Sequence, residues 1–320
     1  MANPDPLLLA GKPRRLEALI ELFIRSSGFI VIGSVILIFL FVGKEAVPLL
    51  TSSEVHKEVT ITKMVVPNSK DAATGKRTFS WQPVSTVPKY SLLPLLIGTL
   101  KVTIVALLIA LPIAVGAAIF TSEFAPQGVR EVIKPAVELL AGIPSVVIGF
   151  FALMVLATWL QDAFGIRIRL NAITAGIGLA LAVIPIVYTV SEDALSAVPQ
   201  AFRDGSTALG ANQWQTAWRV VLPAATPGVF AACVLGAGRS IGETMIVLMA
   251  SGNAATLSLS PTHSFRSFSA TIAAELGEVV HGDAHYRVLF FIGAALFVIT
   301  FFLNLAGQTY VNRLKRKLRG

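Results

Sequence analysis

Hydrophobic residues dominate six windows of this chain: 26–43, 102–122, 139–161, 170–191, 224–251 and 288–312. Five of them carry no charge, and the sixth carries two. A helix rises about 1.5 Å per residue and a bilayer core is about 30 Å thick, so runs near twenty residues predict membrane-spanning helices. Between the spans the pattern changes character. Residues 44–90 are polar, with Thr/Val-rich stretches that read as short strands. Residues 91–100 read as a short entry helix, and 270–276 as an amphipathic segment lying against the outer face.

Residues 198–223 are too polar to span and too regular to be slack. Pro199 suits a first helical turn, and Val198, Ala201, Phe202, Gly205 and Leu209 share one face. Gly210 stops that helix, and Asn212 with Gln215 reads as a capping pair opening a second. There Trp214, Ala217, Trp218 and Val221 follow the helical stripe. The prediction is a hairpin of two amphipathic helices. Its exposed tryptophans want a protein groove, the membrane surface, or the inner ends of the spans themselves.

Composition agrees with a polytopic membrane protein: 54% hydrophobic, 14% charged, mean hydropathy +0.74 over 320 residues. The net charge of +8 reflects topology rather than nucleic-acid binding. Lys12, Arg14, Arg15 and Arg25 precede the first span, and Arg313, Lys315, Arg316, Lys317 and Arg319 follow the last. Basic flanks at both ends, joined by an even number of spans, put both termini in the cytoplasm. The first span is then a retained signal anchor, since its apolar run is too long for a cleaved leader. Residues 44–89 hold seven basic residues on the outer side, a bias that long translocated loops tolerate. The expected layout is a cytoplasmic tail at 1–25, the first span at 26–43, an outer loop at 44–90, a core with five further spans at 91–312, and a basic tail at 313–320. Cys233 is the single cysteine, which excludes a disulfide framework.

Arg239 and Glu243 are the two charges inside the fifth span. Each costs about 2.5–3.5 kcal/mol on insertion scales. From Ala224 to Arg239 the helix climbs roughly 22 Å, so neither charge snorkels back to the entry face. A spacing of four puts both on one helical face, where they neutralise each other in part. One reading is a structural ion pair, with Gly238 and Gly242 as a close-packing face; the other is an anion path, because the guanidinium fork matches two oxyanion oxygens. Lys101, near a membrane boundary, is a weaker cation for that role. Pro144 before Ser145 marks a kink in span three, and a hydroxyl there is placed to donate to a passing oxyanion.

Two enzyme signatures compete. Gly238-Arg239-Ser240-Ile241-Gly242 has nucleophile-elbow spacing and would make Ser240 an intramembrane serine hydrolase, but no span holds a histidine. His281 and His285 have ligand spacing in a glycine-bearing loop. No phosphate loop of the GxxxxGK[ST] type occurs, so any ATP hydrolysis resides on another chain.

Asp204-Gly205-Ser206, then Gly210, Val220 and Leu222-Pro223 resemble the EAA loop of ABC importer permeases, with Asp for Glu and Gly-Ser for Ala-Ala. The strings GAGRSIGETM around Arg239, ELLAGIPS around Ser145 and TIAAEL around Glu275 resemble the phosphate-specific permeases. Of their two paralogous subunits, the Gly-Glu-Thr-Met ending and the Trp81-Gln-Pro of the outer loop resemble the C-type one. The resemblance implies an all-α, multi-pass permease of the type I importer fold in a bacterial cytoplasmic membrane. It implies that the hairpin docks in a groove of ABC ATPase subunits with Asp204 at the contact. A paralogous permease subunit and an extracytoplasmic phosphate-binding protein are the further partners, and membrane lipid surrounds the spans. This chain would bind no cofactor, with ATP and Mg on the ATPases. The sister subunit, or a permease for another tetrahedral oxyanion, is the alternative within the family.

Overall fold

A computed structural model describes residues 15–51, 59, 61–70 and 77–319. Lys12, Arg14 and the rest of 1–14, with 52–58, 60 and 71–76 of the outer loop and Gly320, lie outside the described residues. Six helical stretches are long and apolar enough to cross a membrane: Leu19–Thr51, Leu92–Phe124, Ser145–Phe164, Ala172–Ser196, Gln213–Gly242 and Ala284–Arg316.

Helix α1 (Arg15–Ala46) stands apart, almost wholly exposed and packed on the last helix through Phe39 against Phe297, with ring centroids 3.7 Å apart. The outer loop follows with two short helices, α2 (Pro48–Thr51) and α3 (Ile61–Val65), and two minimal antiparallel hairpins. In these, β1 (Ser69–Lys70) pairs with β2 (Arg77–Thr78), and β3 (Trp81–Gln82) with β4 (Lys89–Tyr90). Leu49, Met64, Trp81 and Tyr90 bury themselves against Leu95, Phe268, Leu289 and Ile292, folding the loop onto the outer ends of the spans.

The entry helix expected at 91–100 is not separate: it is the start of α4 (Leu92–Ile119). Pro94 sits in the first turn, where its missing N–H has no intrahelical partner to lose. Gly98 serves close approach, since a Cβ there would lie 2.2 Å from the Arg266 carbonyl oxygen. After a π turn at Phe120–Phe124 comes α5 (Gln127–Ala141), and the expected kink at Gly142–Pro144 is a full break before α6 (Ser145–Phe151). A second π turn leads to α7 (Ala157–Phe164), closed by Gly165 at φ +63°.

Helix α8 (Ala172–Ser196) is the centre of the bundle, opened by Asn171 capping the amides of Ile173 and Thr174. Ala106, Ala110, Ala114 and Ala118 of α4, spaced by four and all 0% exposed, form one small-residue ridge in that core. Beyond the hairpin of α9 (Gln200–Ala208) and α10 (Gln213–Thr216), helix α11 (Leu222–Gly242) supplies another: Gly228, Ala232, Gly236 and Ser240. Added Cβ atoms would lie 2.4 Å from Ala194 at Gly228 and 2.5 Å from Val187 at Gly236. The close-packing face expected at Gly238 and Gly242 therefore lies two residues off this ridge, and Gly242 has open space around it. The reason is physical: with no hydrophobic drive between helices in lipid, the small residues go where backbones touch. Short helices α12 (Met245–Ala250) and α13 (Phe268–Glu275) and the long α14 (Ala284–Arg319) complete the chain.

Candidate functional site

The hairpin closes as its local sequence dictates. Gly210 at φ +83° lets its amide reach the Thr207 carbonyl and the Ala211 amide reach that of Ser206. Asn212 and Gln215 form the reciprocal capping box, with distances of 2.8 and 3.0 Å. Ser206 is buried against Thr216 at 3.0 Å and links the two helices. The second helix is not a free arm: a π turn at Ala217–Val221 runs it straight into α11, so Leu222 and Pro223 lie at that junction.

Beneath the hairpin, Arg203 is the pin. Its guanidinium donates to Glu123 at 2.7 and 3.1 Å and to the carbonyls of Leu195 and Val198 at 3.0 and 2.6 Å. The Glu123 bond holds the Arg203 guanidinium above its ordinary range. Asp204, by contrast, is exposed, and its carboxylate accepts from Gln200 of its own helix at 3.1 Å. Gly205 is open, and Phe202 and Leu209 are 52% and 91% exposed, so the apolar face of α9 points away from the bundle. Trp214 and Trp218 rest on each other and on Phe124 yet stay about half open. They divide themselves between the inner ends of the spans and an uncovered surface.

At depth the fifth span breaks. Helix α11 ends at Gly242, Glu243 turns extended at φ −67°, ψ 132°, and α12 restarts at Met245. The expected Arg239–Glu243 pair is not formed, because residues four apart face each other only while the helix continues. Among the described residues the Arg239 guanidinium, which is exposed, makes no hydrogen bond or ion pair. Among the described residues, the Glu243 carboxylate accepts only from the neighbouring Thr244 amide, at 3.2 Å. Ser145, half-buried, opens α6 directly behind Pro144. One turn on, Gly149 admits α12: a Cβ there would lie 3.1 Å from the Met245 carbonyl oxygen. Ser145 and Glu243 thus lie each within about a turn of the same α6–α12 contact.

Ser240 is 1% exposed and donates to the Gly236 carbonyl at 2.9 Å, on the ridge facing α8. Lys101 donates to the carbonyls of Ser258 and Ser260, both at 3.1 Å, and sits over the Phe265 ring, tying down the segment between α12 and α13. His281 stacks on Tyr286, whereas His285 bonds Glu275 at 2.8 Å, so the two do not share a ligand.

Glu275 is a hub that sequence reading did not find. Its carboxylate accepts from Trp81 Nε1 at 3.0 and 3.2 Å, Arg266 at 2.7 Å and His285. Burial pushes its carboxyl up, but the His285 hydrogen bond, the Arg266 charge and the Trp81 bond outweigh that and hold it below its ordinary range. Glu123 and Arg203 were missed too; Glu123 stands just outside an apolar window, Arg203 lies in the hairpin, and nothing local pairs them.

A break in a spanning helix beside an unpaired guanidinium, on the same run of helix as a capped helical hairpin, is an arrangement suited to a transport permease. The chain belongs to the binding-protein-dependent transport system inner membrane components, whose family model matches residues 110–320. Among its relatives, a probable ABC transporter permease protein of Bacillus subtilis, YqgH, is 35% identical, covering 74% of this chain and 77% of that one. The phosphate transport system permease protein PstC of Xylella fastidiosa is 33% identical over 74% and 78%. PstC 1 of Mycobacterium tuberculosis is 35% identical over 71% and 74%. A solved bacterial ABC transporter that imports alginate superposes with a TM-score of 0.61 at 15% identity, covering 94% of this chain and 99% of that chain. The inward-facing MetNI methionine transporter gives 0.52 at 18% identity, covering 70% and 94%. These two show the fold, that of type I ABC importer permeases.

Proposed function

We propose that this chain is the C-type permease subunit of an importer for inorganic phosphate, driven by separate ATPase subunits. The observation that carries the reading is the exposed, unpartnered Arg239 guanidinium at the broken end of α11. A charge that deep persists only with a function or a partner, and this chain supplies no partner among its described residues. The names of the PstC relatives support phosphate as the cargo.

Arg239 offers two parallel N–H donors to two phosphate oxygens, and Ser145 a third donor from across the α6–α12 contact. Glu243, freed from Arg239 by the helix break, accepts a hydrogen bond from a protonated phosphate hydroxyl. Sulfate, fully ionised near neutral pH, has no such donor, and selectivity follows from the unmatched acceptor. A paralogous permease completes the pore wall that Arg239 faces, and an extracytoplasmic phosphate-binding protein delivers the ion. Asp204, Phe202 and Leu209 present the exposed face of α9 to the ATPase, which holds ATP and Mg. Because α10 runs into α11 without a loop, motion at the hairpin reaches Arg239 along one helix.

ATP-dependent phosphate uptake by the reconstituted importer tests this. Arg239→Ala removes a charge-assisted donor pair of about 2–5 kcal/mol, so uptake falls at least about thirtyfold. Glu243→Gln weakens discrimination against sulfate. Undiminished uptake by Arg239→Ala rules the reading out.

A further inference from the structure

The break after Gly242 frees backbone carbonyls at the end of α11. Two hydroxyls donate to them. Thr244 Oγ1 donates to the Gly242 carbonyl at 3.2 Å, and Ser269 Oγ donates to the Glu243 carbonyl at 2.7 Å. Ser269 is 5% exposed and belongs to α13, distant in sequence from the break. Its proton is committed to Glu243, so in the 3.2 Å contact between Ser267 and Ser269 the donor is Ser267. The start of α13 is fixed in turn: Ser267 caps the Ala270 amide, and Thr99 of α4 accepts from the Phe268 amide at 3.1 Å.

The other end of α13 is Glu275, held by Trp81, Arg266 and His285. From Ser269 to Glu275 is about 9 Å of continuous helix. One rigid rod therefore joins the clasp on the outer loop to the turn that carries Glu243.

We propose that Ser269 is a positioning residue for the Glu243 turn, and that α13 transmits the state of the Trp81–Glu275 clasp to it. This rests on the transport reading above. Ser269 touches no substrate; it fixes where the Glu243 backbone, and hence its carboxylate, stands. Substitution by Ala removes the donor from the Glu243 carbonyl, whereas Thr retains the hydroxyl.

The test uses the complete importer in vesicles, with turnover and the half-saturating concentration of phosphate-loaded binding protein measured separately. Ser269→Ala is expected to lower turnover about three- to tenfold, the scale of one buried neutral hydrogen bond. Half-saturation stays unchanged because the outer surface is intact, and Ser269→Thr restores turnover. Trp81→Phe, which deletes only the indole donor, lowers turnover in the same sense and adds little to Ser269→Ala. Wild-type turnover in Ser269→Ala, a loss that Thr does not restore, or full additivity with Trp81→Phe overturns the proposal. Arg239→Ala runs alongside: if it is inactive while Ser269→Ala is normal, only this inference fails, and if it is active the transport reading itself fails.

Discussion

The charges at the two ends of the bundle and the charges in its middle are treated in opposite ways. At the cytoplasmic end, Arg203 meets Glu123 and Lys134 meets Glu192 at 2.7 and 2.8 Å. At the outer end, Glu275 collects Arg266 and His285 at 2.7 and 2.8 Å. In between, Arg239 and Glu243, where pairing would be most valuable, stay apart. The chain is able to make ion pairs across long sequence separations, so the unpaired couple reflects the break at Glu243 rather than a lack of reach. Paired charges here build the frame; the unpaired ones are left for something that comes and goes.

The strongest way to break that contrast is to compare what each class costs when removed. Arg239→Ala, the uptake-defective variant above, is expected to leave thermal unfolding in detergent within about 0.5 kcal/mol of wild type, as for an exposed side chain without partners. Arg203→Ala does the reverse. It strands the Glu123 carboxylate, 6% exposed, and destabilises by about 3 kcal/mol. The double variant Arg203→Ala with Glu123→Ala recovers part of that loss, because no unpaired charge is left behind. A melt in which Arg239→Ala proves as damaging as Arg203→Ala would place Arg239 in the frame.

The two regions also differed in how far the sequence alone could be read. At the hairpin, Gly210, Asn212 and Gln215 act on their own neighbours, and local rules placed both helices and the turn between them. At the break, local rules misled. Gly242 is tolerated within a helix, the apolar pattern continues to Met249, and the spacing of Arg239 and Glu243 suits an unbroken helix. The turn is held by Ser269 from another segment and by the fit of α12 against Gly149 and Gly178. Contacts of that kind leave no periodicity. Likewise residues 91–100 read as a separate entry helix and are the start of α4, where Gly98 is a point of close approach to the Arg266 carbonyl, far along the chain.

The outer clasp offers an intermediate effect with a defined pH sign. Glu275 has a folded-state value below its unfolded one, so its contribution is fully present above the ordinary carboxylate value of about 4.3 and is lost as pH falls through the lowered folded value. Wild type therefore loses stability on acidification below that range. In Glu275→Gln that acid-dependent part disappears and the variant is less stable at neutral pH. Melting curves of both across pH 3–7 check the sign, and identical slopes would mean that the clasp does not depend on the carboxylate charge.

The smallest effect separates local closure from long-range pinning within the hairpin itself. Asn212→Ala removes a cap worth about 1 kcal/mol, but α10 stays attached through Thr216 on Ser206, through Gln213 on the Glu123 carbonyl and through its run into α11. The loss is therefore confined to the first turn. Amide exchange at Gln215, whose N–H the Asn212 side chain accepts at 2.8 Å, accelerates about fivefold, while the global melting temperature barely moves. Asn212→Asp keeps the acceptor and restores slow exchange. If Asn212→Ala instead lowered the global melt as far as Arg203→Ala does, the hairpin would be held by its own caps. The ion pair at Glu123 would then be an accessory, and the contrast between paired frame and unpaired site would lose its cytoplasmic half.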